Sequence, residues 1–238
     1  MKWPIQMLWV RGRLSALEQL SVRSFLTHGH KVHVYSYGHL DGLPEGAVPM
    51  DAGTVLPETD VFEYPNGGSL SGFANLFRYQ LLLERGGWWS DMDVVALRAL
   101  HSPKDCVFAS EMLTPRHSQP TNSVIFALPQ CNVLRYLRDV SRAKDPAKLE
   151  WCETGPPLVR EAVRRFGIED RVLDYAAFCP IACSDWLDTF LPGKARDFGH
   201  ETFGIHFAHE MWRRLKLDKD EDYGPRSLYE ILKRRYGM

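Results

Sequence analysis

The stretch Leu81-Leu82-Leu83-Glu84-Arg85-Gly86-Gly87-Trp88-Trp89-Ser90-Asp91-Met92-Asp93-Val94-Val95 contains a change of period that decides the fold. Upstream, Phe73, Leu76, Phe77 and Leu81 recur at helical spacing, so Ser71 to Arg85 reads as an amphipathic helix. Gly86-Gly87 stops it, because glycine enters the positive-φ conformations that close a helix end without a Cβ clash. Trp88-Trp89-Ser90 then predicts a short strand, and Val94 to Leu97 another. Between them, Asp91 and Asp93 set two like charges at the end of an apolar strand, a costly place for carboxylates. They share a face if the chain is extended and converge on one point if it turns. Ligands of open α/β sheets bind at strand ends, and paired carboxylates are oxygen donors for a hard divalent cation, Mn2+ or Mg2+. Such a cation can hold a diphosphate and stabilise it as a leaving group.

Working outward, Ile5 to Val10 is a short apolar run that predicts a buried strand. Ser15 opens a helix, Glu18 completes a capping box, and Gly29 stops the helix after about Thr27. Lys31 to Tyr37, β-branched and aromatic, is the next strand, and the resulting β-α-β unit favours a parallel sheet. Residues 38–68 carry Pro44, Pro49, Pro57, Pro65 and Gly67-Gly68 and read as loop. Further strands are expected at Val107–Ala109, Ser123–Leu128 and Phe203–Ala208, and helices at Cys131–Arg142 and Pro157–Phe166. Ser227 with Glu230 opens a C-terminal helix to about Arg235. No repeat or linker interrupts the chain, so residues 1–238 read as a single α/β domain.

Composition narrows the partners. The 238 residues carry 29 Lys and Arg against 30 Asp and Glu, and this balance gives no long-range attraction to nucleic acid. No apolar run approaches the ~18 residues of a transmembrane helix, and the N-terminus lacks a signal peptide's apolar core and cleavage site. Five cysteines, at 106, 131, 152, 179 and 183, form no Cys-x-x-Cys. They read as buried free thiols in a reducing cytoplasm. Lys233, Arg234 and Arg235 make a basic helix end that suits the helix dipole and leaves room for peripheral contact with a membrane or polymer acceptor.

Asp-x-Asp recurs at Asp218-Lys219-Asp220 and Asp220-Glu221-Asp222, so spacing alone does not single out the first pair. The later run lacks a Glu at the twelfth position of a calcium loop, where Tyr229 stands, and reads as a solvated turn. No Walker loop, nucleophile elbow or dinucleotide fingerprint occurs.

Phe73-Ala74-Asn75-Leu76-Phe77-Arg78-Tyr79, with residues 81–93, resembles the sugar-binding region of the DXD glycosyltransferases. These are retaining enzymes of the GT-A fold, related to α-1,4-glycosyltransferases, capsular polysaccharide transferases and clostridial glucosylating toxins. Their pattern is Ser-Asp-x-x-Arg-Tyr followed by Gly-Gly-x-Tyr-x-Asp-x-Asp. The similarity extends in order to Leu8-Trp9-Val10, residues 24–30, Thr154-Gly155-Pro156 and residues 205–213. It departs at Asn75, where the family has Asp, and at Ala208 and His209, where it has Trp and Asn.

The resemblance implies a Rossmann-like, mainly parallel sheet flanked by helices, with the DXD pair at a strand end. It implies transfer of a sugar from a nucleoside diphosphate sugar, UDP first, to a hydroxyl of a glycan or glycolipid, as in polysaccharide biosynthesis. In that reading Asp93, Asp91, His206 and Glu210 hold the metal. Trp9 stacks the base, Asn75, Arg78 and Asp91 meet the donor, and Trp212 closes over the diphosphate. Asp91, Asp93 and Arg78 carry catalysis, and Asn122, Glu153 and Thr154 line the acceptor side. Two alternatives remain at this level: a non-catalytic nucleotide-sugar binder, and a haloacid-dehalogenase-like phosphatase with Asp91 as nucleophile.

Overall fold

The computed structural model describes residues 3–65, 68–101, 104–114, 117–194 and 196–238. β1 (Ile5–Leu8), α1 (Ala16–Thr27) and β2 (Val32–Ser36) form the expected β-α-β unit, with β1 and β2 parallel. The Ser15 amide donates to the Glu18 carboxylate at 2.9 Å, one arm of the capping box. A third strand, β3 (Val48–Asp51), pairs parallel with β2 inside the stretch read as loop. Its residues are mostly exposed and one is Pro49, so no apolar alternation marks it. An edge strand tolerates both features.

α2 (Ser71–Arg85) leads into β4 (Gly87–Ser90), which lies parallel to β1. The chain then leaves the sheet. β5 (Val94–Ala96) forms a separate two-stranded ribbon with β8 (Gly204–His206), shorter than the expected Phe203–Ala208. β6 (Cys106–Thr114) and β7 (His117–Ala127) make an antiparallel hairpin, and β7 pairs antiparallel with β4. The main sheet runs β3-β2-β1-β4-β7-β6, parallel on one side of β4 and antiparallel on the other. Both hairpin strands extend beyond the predicted apolar cores. Their distal ends are half-buried or exposed and carry no apolar alternation, so pattern could not reveal them.

α3 (Asn132–Arg142) and α4 (Pro156–Phe166) pack with α2 on one face of the sheet. α1 packs on the other face, where a second core holds Met7, Val22, Phe25 and Val34. α5 (His209–Leu215) and α6 (Leu228–Arg235) enclose a third, aromatic core of Trp186, Phe190, Trp212 and Tyr229. Residues 183–190 add a 3-10 helix that no periodicity announced. The cysteine expectation needs correction: Cys106 and Cys179 are buried, Cys131 and Cys152 are partly exposed, and Cys183 is exposed. All five are free thiols. Among the described residues no helix is long and apolar enough to cross a membrane.

The α2–β4 junction aims Asp91 and Asp93, and its geometry is glycine's. Gly86 has φ 63° and Gly87 φ 96°. A Cβ on Gly86 would lie 2.5 Å from Pro129 Cδ and 2.8 Å from Pro129 N. Gly86→Ala is therefore expected to cost about 2–4 kcal/mol through backbone strain and overlap. Urea unfolding checks this, and an unchanged midpoint contradicts it.

Candidate functional site

At Ser90 the chain turns out of the main sheet. The Asp91 amide donates to the Ser123 carbonyl at 2.8 Å, and the Val94 amide to the Asp91 carbonyl at 3.2 Å. Of the two geometries open to the pair, the turn is the one adopted. The β5–β8 register then pairs Val94 with His206, beside Asp93. Asp91, Asp93 and His206 each offer a ligand atom, and these atoms lie within 4.8 Å of one another, a unique grouping among the described residues.

Asp93 is 5% exposed. Its Oδ2 accepts the His209 amide at 2.6 Å, and its Oδ1 faces His206 Nε2 at 3.3 Å. That Oδ1 is buried and has no hydrogen bond. Between His206 and His209, Ala208 sits at φ 45°, a conformation unusual for alanine. The turn it makes carries the chain into α5, whose first amide reaches Asp93. On the far side of the His206 ring, Nδ1 lies 3.9 Å from Cys179 Sγ.

Asp91 is held differently. Arg78 Nη1 pairs with its Oδ1 at 2.9 Å, and the Trp89 indole N–H donates to the same oxygen at 2.9 Å. Arg78 lies over the Trp89 ring at 4.8 Å, donates from Nε to the Ala74 carbonyl at 3.1 Å, and donates from Nη1 to the Asn122 carbonyl. Thus Arg78 is 4% exposed and committed to protein partners.

These surroundings set the charges. Burial pushes the Asp91 carboxyl up; Arg78 opposes this and Asp93 adds to it. Burial acts on Asp93 in the same direction, but His206 and the His209 amide outweigh it and hold that carboxyl well below the usual range. For His206, burial lowers the imidazole and Asp93 more than reverses it, raising it well above 6.5. In the metal-free centre these effects favour an imidazolium on His206 facing a carboxylate on Asp93. Two carboxylates, an imidazole and an unsatisfied buried oxygen form a donor set that fits a divalent cation.

The remaining predicted residues divide. Asn75, Asn122 and Thr154, assigned from the resemblance to opposite sides of the reaction, belong to one buried network. Asn75 Nδ2 donates to Thr154 Oγ1 at 3.2 Å, and Asn122 Nδ2 donates to Asn75 Oδ1 at 2.8 Å and to the Tyr79 hydroxyl at 3.0 Å. Tyr79 donates to the Thr154 carbonyl at 2.9 Å. Here the departure at residue 75 has a physical reason. A carboxamide donates and accepts at once, which an ionised carboxylate cannot do.

Glu153 is away from this network, paired with Lys144. Glu210, expected among the metal ligands, instead gives its carboxylate to Arg213 at 2.8 Å and Arg214 at 2.7 Å. Trp212, expected over the diphosphate, is 1% exposed among Trp186, Phe190 and Tyr229, with its N–H on the Phe207 carbonyl. Trp9 does reach the site, since its ring lies 6.4 Å from that of His209. Lys219 stands over the Trp9 ring at 5.5 Å and pairs with Glu18.

Sequence reasoning missed three supports: the Trp89 indole, the His209 amide and the 218–222 turn. Trp89 stands two residues before Asp91, close enough in sequence for its indole to reach the carboxylate, a signal that was present. The turn is not merely solvated, because Asp220 accepts the Ala16 amide at 2.7 Å, at the start of α1. In the basic helix end, Lys233 is neutralised by Glu230 at 2.8 Å.

No protein-family model and no curated protein matches the chain. Solved structures do. PaToxG glycosyltransferase superposes with a TM-score of 0.50 at 14% identity, over 71% of this chain and 72% of that one. GlyE of Streptococcus pneumoniae TIGR4, a glycosyltransferase, gives 0.48 at 12% over 99% and 63%. The bifunctional glycosyltransferase WbbM gives 0.47 at 13% over 87% and 46%. The fold assignment rests on the first: the chain has a GT-A-like α/β fold.

The Asp93–His206 pair makes stability pH-dependent in a definite way. The depressed Asp93 contributes stability that is present above 3.8 and lost as pH falls through its folded value. The raised His206 contributes stability that is full below 6.5 and lost as pH rises through its folded value. Without divalent ions, the difference in urea midpoint between wild type and His206→Asn is expected to peak between pH 3.8 and 6.5. A difference that stays level from roughly pH 5 to pH 9 would contradict the pairing.

Proposed function

We propose that the protein is a metal-dependent, retaining glycosyltransferase that moves a sugar from a nucleoside diphosphate sugar, UDP first, to a hydroxyl of a glycan or glycolipid. The observation that carries this reading is the convergence of Asp91, Asp93 and His206 at the carboxyl end of β4, in a sheet with a glycosyltransferase-like fold. Ligands of α/β sheets bind at that edge.

Asp93, Asp91 and His206 would hold the cation, which supplies positive charge to the departing diphosphate. The imidazole in the set favours Mn2+ over Mg2+. Arg78 and the Trp89 indole hold the Asp91 carboxylate in place, and the His209 amide does the same for Asp93. Arg78 thus acts as a positioning residue. Trp9, just past the end of β1 and beside His209, offers an aromatic face to the base. In the reaction the anomeric C–O bond to the phosphate breaks and the acceptor oxygen bonds the same face. The departing phosphate oxygen takes the acceptor's proton.

Asp93→Asn tests the centre, because the amide oxygen can still accept the His209 N–H while the charge is gone. One unit-charge contact at 4 Å and effective dielectric 20 is worth ~4 kcal/mol, or about a thousandfold in rate. Mn2+-dependent hydrolysis of a nucleotide-sugar panel is expected to fall by about that factor. Wild-type rates in the variant would remove Asp93 from the chemistry. Binding without any turnover in the wild type would favour a passive binder, and release of phosphate from simple sugar phosphates would favour Asp91 as a phosphatase nucleophile.

Trp9→Ala is expected to weaken UDP binding by roughly tenfold to a hundredfold in calorimetry. An unchanged affinity would return Trp9 to a packing role.

A further inference from the structure

A cavity of about 360 Å3 lies where the base of the β6–β7 hairpin meets the start of α3, and both Cys106 and Cys131 line it. The fold brings them together by three constraints. Cys106 opens β6, and its partner across the hairpin is Ala127, the last residue of β7. The following turn is tied down, since the Leu128 amide donates to the Asp105 carbonyl at 2.8 Å and the Gln130 amide to the Leu83 carbonyl at 2.7 Å. Gln130 takes φ 61°, which swings the chain so that Cys131 becomes the N-cap of α3.

The two thiols are not equivalent. Cys131 is partly exposed and stands at the positive end of an eleven-residue helix. The amides of Val133 and Leu134 face it and favour its thiolate, without closing to full hydrogen-bond geometry. Cys106 is 3% exposed and lies beside Cys131 on the wall of the same cavity. This contact, against the effect of burial, holds the Cys131 thiol down to about 6. The same contact, reinforced by burial, pushes Cys106 up. Two inert core thiols would both be raised. Here Cys131 is reachable from a cavity and favoured as the thiolate, while the buried Cys106 on the same cavity is favoured as the thiol.

We propose that Cys131 is a peroxide-reactive nucleophile and Cys106 its resolving partner, the two closing a reversible disulfide across the base of the hairpin. In the first step the Cys131 thiolate attacks one oxygen of a hydroperoxide. An S–O bond forms, the O–O bond breaks, and the leaving alkoxide or hydroxide takes a proton from water. In the second step Cys106 sulfur attacks the Cys131 sulfenic acid. The S–S bond forms, the S–O bond breaks, and hydroxide departs with the Cys106 proton as water. Two electrons pass from the thiol pair to the peroxide, and a dithiol reductant reverses the change. The site is distinct from the Asp91–Asp93–His206 centre and does not depend on the sugar-transfer reading. The staple would act on β7, whose Asn122 and Ser123 carbonyls hold Arg78 and the Asp91 amide.

Peptide mapping of the full chain after brief hydrogen peroxide treatment tests this. The wild type is expected to yield a linked peptide pair containing Cys106 and Cys131, separable by dithiothreitol. Cys106→Ser is expected to leave a Cys131 sulfenic acid that dimedone traps, and Cys131→Ser to leave Cys106 reduced. Iodoacetamide labelling of Cys131 in untreated protein is expected to be half-maximal at about pH 6. Labelling of Cys131 that rises only above roughly pH 8, like an ordinary thiol, overturns the nucleophile. Absence of the Cys106–Cys131 link, with other cysteines oxidised first or Cys131 passing directly to sulfinic acid, overturns the pairing.

Discussion

Burying a carboxylate obliges a fold to supply its counter-charges, and here that obligation falls on segments far apart in sequence. Asp93, almost fully buried, is answered by His206 from β8 and by the first amide of α5. Asp91, two residues earlier, is answered by Arg78 from α2 and by the indole of Trp89. Removing one partner from a buried ion pair typically costs 3–5 kcal/mol, because the other charge stays behind unpaired. The turn at 91–93 is therefore a junction between α2 and the distant β8–α5 segment. The Ala208 turn and the double-glycine exit from α2 are backbone conformations accepted to keep those partners in register.

Satisfaction of the centre is deliberately uneven. Asp91 Oδ1 takes both an ion pair and a hydrogen bond, whereas Asp93 Oδ1 has an imidazolium opposite and no hydrogen bond. A cation that replaced the proton on His206 would meet oxygen and nitrogen donors already gathered, so little reorganisation would accompany its binding. The neighbouring Asn75–Asn122–Tyr79–Thr154 network is the opposite case. Its members bond to one another, and the network links α2, β7 and the start of α4 into one support behind Arg78. Networks of this kind rigidify the wall on which a reactive group stands.

Much of this was legible along the chain where the signal is local. The capping box at Ser15, the Ser227 N-cap, the glycine stop after α2 and the β-branched run of β2 all act over a few residues, and the elements formed as read, although the Glu230 side chain turns to Lys233 and the Tyr223 amide rather than closing a second box. Legibility failed where exposure hid a strand or a core hid a polar-looking residue. β3 carries no apolar alternation because it lies at the sheet edge. Glu210 and Trp212 sit in a segment whose pattern suggested a ligand site, yet a seven-residue helix distributes its residues around an axis. One points to Arg213 and Arg214 and the other into the aromatic core.

By itself the amino-acid sequence determined that two carboxylates would follow a glycine-terminated helix and a short tryptophan strand, in an α/β chain with no basic excess. These properties depend on neighbours within a turn or a strand, where period and backbone preference suffice. Only the tertiary structure decided which distant groups meet those carboxylates. The β5–β8 register selected His206, the packing of α2 committed Arg78 to Asp91, and the hairpin base set Cys106 against Cys131. Such meetings join residues from 13 positions apart, Arg78 and Asp91, to 113, Asp93 and His206, and no local pattern encodes a partner that arrives only when separate cores close together.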